Sequence, residues 1–189
     1  MKNILKSASL ILASAAIFTA CNKPDDAPKP VEQELITTMK LIVTGSDGFN
    51  KTFTYKVENG FGNTTAGSVV KDSIILAANK TYDVEVQLLN EKEEPAENIT
   101  EEVVAESEEH LFLFQSTPAS GAGSITTADG SKDAAGNPLN QKIKFVTGST
   151  GAGALTVTLK HEPTNKNAAT PDAAGGETDV EAAYDVTIQ

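Results

Sequence analysis

Tyr82-Asp83-Val84-Glu85-Val86-Gln87-Leu88 alternates apolar and polar residues without a break, so Tyr82, Val84, Val86 and Leu88 share one face of an extended chain. A strand of this kind buries one face and wets the other, as strands of antiparallel sheets do. The end of the chain behaves similarly, through Val180, Ala182, Tyr184 and Val186 or their opposite-face neighbours. Working outward from these two stretches, short extended runs occupy 35–43, 51–57, 73–76, 81–89, 111–114, 143–146, 155–160 and 180–188, separated by Gly, Asn, Asp and Pro clusters. Asn79-Lys80, between two of the runs, predicts a hairpin turn. Seven or eight strands with almost no helical periodicity predict an all-β fold, a single antiparallel two-sheet sandwich of immunoglobulin-like type over 34–189. A closed barrel is the competing arrangement. With no Trp, three Tyr and seven Phe, the core must be built mainly from Val, Ile and Leu.

One segment breaks the pattern. Residues 91–109 hold nine of the acids and one lysine. Asn98 followed by Glu101 has the spacing of a helix capping box, which predicts a short helix before the strand at Leu111. The alternative is a continuous strand, which would set Glu106, Glu108 and His110 on one face. Near the C-terminus, 164–176 is rich in Asn, Ala, Thr, Pro and Gly and reads as a long loop, with Gly175-Gly176 turning the chain into its last strand.

The N-terminal residues carry an address. Lys2 and Lys6 precede an apolar stretch from Ser7 to Ala20, and small residues stand just before Cys21 in Phe18-Thr19-Ala20-Cys21. This order predicts a signal peptide over 1–20 and lipid attachment at Cys21, the only cysteine. At roughly 0.8 kcal/mol per buried methylene, two or three acyl chains hold a protein on a membrane for good. The following Asn22-Lys23-Pro24-Asp25-Asp26 reads either as an export signal to the cell surface or as part of a flexible, charged tether over 21–33. The expected location is the outer membrane, lipid-anchored and surface-exposed, with its periplasmic face as the alternative.

Fifteen lysines face twenty-six acids and there is no arginine, a formal net charge of −11. Loss of residues 1–20 removes two lysines and no acid, which makes the remainder more acidic still. A chain of this sign without guanidinium groups is unsuited to nucleic acid, whereas cations are natural partners.

Two stretches offer ligand chemistry. His110 and His161, the only histidines, sit beside carboxylates at strand ends, in Glu108-Glu109-His110 and His161-Glu162. Imidazole nitrogen with carboxylate oxygen is a competent set for zinc or a similar divalent ion. With the loop leading into the last strand, the candidate ligands are Glu108, His110, His161, Glu177 and Asp179. The competing reading makes each histidine an ordinary hydrogen-bonded residue among abundant acids. In Asp129-Gly130-Ser131-Lys132-Asp133, oxygens recur at alternate positions as in a calcium loop. The pattern then fails, because Ala134 stands at the glycine position and Asn140 at the closing glutamate. Asp129, Ser131 and Asp133 are therefore read as a weaker calcium candidate than a simple turn, and zinc is favoured over calcium. No Gly-x-Ser-x-Gly, His-Glu-x-x-His, Walker or dinucleotide motif occurs, and no catalytic residue is assigned.

Four segments taken together, Asn98-Ile99-Thr100-Glu101-Glu102 leading to Glu108-Glu109-His110, Gly136-Asn137-Pro138-Leu139, Leu159-Lys160-His161-Glu162-Pro163 and Gly175-Gly176-Glu177-Thr178-Asp179-Val180, resemble a family of small Bacteroidota surface or outer-membrane lipoproteins. Automated naming calls that family "type 1 periplasmic binding fold superfamily". The resemblance implies a surface lipoprotein and no particular activity. The fold in that name requires two lobes of alternating strands and helices, which the strand-rich pattern here excludes. The function expected from the sequence is a lipid-anchored surface binding protein, taking a divalent metal or serving an outer-membrane receptor as an accessory to nutrient uptake. The alternative is a structural or adhesive surface module with no small ligand.

Overall fold

The computed structural model describes residues 34–189. The signal peptide at 1–20, Cys21 and the tether at 21–33 lie outside the described residues. In chain order the elements are β1 (Thr38–Gly45), β2 (Asn50–Val57), β3 (Val69–Lys71), β4 (Ile74–Leu76), β5 (Thr81–Leu89), α1 (Ile99–Ala105), β6 (His110–Thr117), β7 (Ile125–Ala128), β8 (Lys142–Thr147), β9 (Gly151–His161), α2 (Pro171–Ala174) and β10 (Glu177–Ile188). The fold is all-β. One sheet has the order β3-β2-β1-β5-β8-β7 and the other β4-β10-β9-β6.

The alternation of the sequence becomes the core. Tyr82, Val84, Val86 and Leu88 of β5 point inward with Met39, Leu41 and Val43 of β1, and meet Leu155, Val157, Leu159, Val180, Ala182 and Tyr184 from the second sheet. Asp83 and Glu85 stay outside. Tyr184 crosses between the layers, its hydroxyl donating to the Met39 carbonyl at 3.4 Å. Full burial holds the phenol well above its usual pKa and so keeps it a donor.

Ten strands form where seven or eight were expected. The two additions, β3 and β7, are short edge strands with a single neighbour each, and all three residues of β3 are exposed. Strands that bury so little carry no hydrophobic alternation to read. The hairpin expected at Asn79-Lys80 is absent. Both edges of β5 are occupied, by β1 and β8. β4 instead pairs in parallel with β10, so Asn79, at φ +54°, carries the chain from one sheet to the other.

Segment 98–109 resolves as helix followed by turn. Ile99 and Val103 of α1 join the core, and the Thr100 hydroxyl accepts from the Leu88 amide at 2.7 Å, docking the helix on β5. Asn98 occupies the N-cap without a side-chain bond to the backbone; its amide donates to the Glu101 carboxylate at 2.9 Å instead. The loop between β9 and β10 contains α2, whose Ala174 covers Leu111 and Leu113 on the outer face of β6. This second apolar patch fixes the loop over the β6–β9 pair, and so fixes where β10 begins.

Candidate metal centre

His110 opens β6 and His161 closes β9, and the register sets them directly opposite one another. The amide of Phe112 bonds outward to the Leu139 carbonyl rather than to β9, so His110, two residues earlier, belongs to the narrow, non-hydrogen-bonded class of cross-strand pairs. Side chains in such pairs approach closely. The two imidazoles stack with centroids 4.8 Å apart and planes inclined by 13°.

Asp179 reaches this pair through a defect in β10. The ladder runs Glu177 to His161 and Thr178 to Lys160, then resumes with Val180 to Leu159. Asp179 is the extra residue of a β-bulge. A bulge re-aims one side chain, and here Asp179 and Val180 are buried in succession where alternation would have exposed one of them. Two features hold the defect. Lys160 donates to the Gly176 carbonyl at 3.0 Å and to the Thr178 hydroxyl at 2.8 Å. Gly176, at φ +66°, lies so close to β9 that a Cβ there would stand 2.2 Å from the His161 carbonyl oxygen. Glycine is required on both counts.

The result is a His110, His161 and Asp179 group whose ligand atoms all lie within 4.8 Å of one another. The Nδ1–H of His110 donates to the Glu106 carbonyl at 3.1 Å, which puts the lone pair on Nε2. That nitrogen faces Asp179 Oδ2 at 4.0 Å. Burial pushes the His110 imidazole below its ordinary pKa, so it is neutral at pH 7. Burial pushes the Asp179 carboxyl up, against the pull of His161 and His110. Asp179 makes no hydrogen bond to any described residue and is only 9% exposed. Two acceptors, both nearly buried, thus face each other across 4.0 Å. A cation could bridge them: with metal–nitrogen and metal–oxygen bonds of about 2.0–2.1 Å, tetrahedral ligands sit roughly 3.3 Å apart. The Glu106 carbonyl would then be the outer partner that orients the imidazole.

More acids surround the group. The Glu34 carboxyl is pushed up to about 7, first by burial and then by the charge and hydrogen bond of Glu102, with Glu106 and Asp179 adding to it. On the outer side, Glu109, His161 and Glu162 form a second convergent group, more exposed than the first and sharing His161 with it. Glu109 Oε2 lies 3.9 Å from His161 Nε2.

Of the five residues expected from the sequence, the structure brings His110, His161 and Asp179 together. Glu177 lies opposite His161 with an exposed side chain, adding negative charge beside Asp179. Glu108 is exposed in the turn before β6 and belongs to neither group, because α1 ends the face it would have shared with His110. Glu34 and the Glu106 carbonyl were missed; they reach the site only through the fold. The calcium candidates part company. Both Asp133 oxygens are taken, one by Lys166 Nζ and one by the Asn137 amide, each at 2.8 Å. The Lys166 ammonium supplies a positive charge to this carboxylate. Asp129 and Ser131 line a separate cleft with Lys142 and Lys144.

No protein-family model, curated protein or solved structure matches this chain.

Proposed function

We propose that this protein binds a divalent ion of the zinc class through His110, His161 and Asp179 at the outer surface of a bacterial cell, as an accessory to metal uptake. The observation that carries this reading is the bulged Asp179, a nearly buried carboxylate that bonds to no described residue and faces the lone pair of His110 at 4.0 Å. Three protein ligands leave a fourth position open, the pattern of sites that exchange or use an ion rather than seal it in. The reading is capture of the ion. The sandwich is read as immunoglobulin-like, with the β9–β10 loop and the turn before β6 as the binding loops that rigid sheets position well.

Signal peptide, lipid at Cys21 and the acidic tether complete the proposal, placing the site outside the membrane and within reach of an outer-membrane receptor. Replacing Cys21 with Ser should move the protein from the membrane to the soluble fraction; a variant that stays membrane-bound would contradict lipid anchoring.

The test of the site is calorimetric titration of the full chain with zinc, beside a His110→Ala/His161→Ala variant. One ion per chain is expected, with affinity lowered at least about 100-fold in the variant. Equal affinity in both forms would refute the assignment and favour a structural or adhesive surface module.

A further inference from the structure

The inner group (His110, His161, Asp179) and the outer group (Glu109, His161, Glu162) have one residue in common, and their exposure differs sharply. In the inner group His110 and Asp179 are buried; in the outer group Glu109 and Glu162 are exposed, and His161 stands between at 15% side-chain exposure. A neutral imidazole has a single lone pair, so His161 can ligate an ion in one group or the other but not in both. The two groups are therefore alternatives for one ion and not halves of a dinuclear centre.

Resting on the metal-binding reading above, we propose that they are two stations of a hand-off path: a divalent cation is first caught by Glu109, His161 and Glu162, then passed inward by His161 to His110 and Asp179, and released by the reverse route. The outer station has the chemistry of a capture site. Two carboxylates and one nitrogen bind more loosely than a pair of imidazoles does, and exposed acids draw cations in. The backbone also fixes it in place. The Glu162 amide donates to the Glu109 carbonyl at 2.7 Å, which keeps the two residues adjacent. His161 is the most exposed member of the inner station, at 15% of its side chain against 9% for Asp179 and 4% for His110. The partner implied is one that accepts a divalent ion at the exposed Glu109–Glu162 edge, through ligands of its own that displace the two carboxylates.

Stopped-flow transfer of zinc from the full chain to a chromogenic chelator, and zinc uptake by the metal-free chain, test the path. In Glu109→Gln/Glu162→Gln, uptake and release should both slow by about tenfold while the equilibrium affinity changes by less than threefold. In His110→Ala, binding should weaken and release should accelerate, because only the outer station is left. Melting curves of both variants establish that they fold. Wild-type rates in the glutamine variant, or two zinc ions per wild-type chain, would overturn the hand-off and leave the binding site standing. No zinc binding by the wild-type chain would overturn both.

Discussion

A histidine can serve as a metal ligand only with a free lone pair, and in His110 the Glu106 carbonyl holds the proton on Nδ1 and turns Nε2 toward Asp179. Both histidines were visible in the sequence because they stand next to acids at strand ends. The carbonyl that orients one of them was not, since it depends on how α1 ends. Glu34 was invisible for the same reason: it lies far along the chain from Glu102, Glu106 and Asp179, and only folding brings them together. Its raised pKa carries a consequence for stability. A carboxyl raised from 4.5 to about 7 favours the folded state below the unfolded value, and that contribution is lost as pH rises through 7. In the metal-free protein Glu34→Gln should therefore raise stability at pH 8 by about 1 kcal/mol after solvent screening, or about 2–4 °C in Tm. At pH 4 the difference should be near zero. A thermal melt at the two pH values decides it, and an equal shift at both would separate Glu34 from this charge cluster.

At the scale of elements, the decisive feature is one extra residue. Strands β5 and β10 were legible because buried faces impose period two, and β10 was extended correctly as far as Val180. The bulge was not legible, because the apolar alternation begins only at Val180, and only the pairing with Lys160 and Leu159 exposes the surplus residue before it. Edge strands β3 and β7 escaped notice because they bury too little to leave a pattern, and the parallel pairing of β4 escaped because local turn chemistry does not specify which sheet a strand joins. Deleting Asp179 should restore a continuous β9–β10 ladder, with Val180 and the rest of the core unmoved. The expected outcome is a folded protein whose Tm lies within about 4 °C of the wild type, equivalent to about 1 kcal/mol or less, and whose zinc affinity falls by at least about 100-fold. Calorimetry and a melt on the same sample measure both; retained affinity would show that Asp179 is not a ligand.

For the whole molecule, an acidic surface, two rigid sheets and a site at the strand ends fit a binder of cations. Charge alone would fit many acidic proteins equally well. Sequence was enough to exclude an α/β periplasmic-binding fold and to predict two packed sheets, because composition and periodicity act along the entire chain. It could not rank the acids as ligands, since twenty-six are available and proximity among them is a property of the fold. The central claim is the ligand set, and zinc-edge X-ray absorption of the loaded full chain tests it most directly. The prediction is two imidazole nitrogens and at least one carboxylate oxygen at about 2.0–2.1 Å, with the imidazole signal lost in His110→Ala/His161→Ala. An all-oxygen shell, or one unchanged in that variant, would place the ion elsewhere on the acidic surface and contradict the His110, His161 and Asp179 centre.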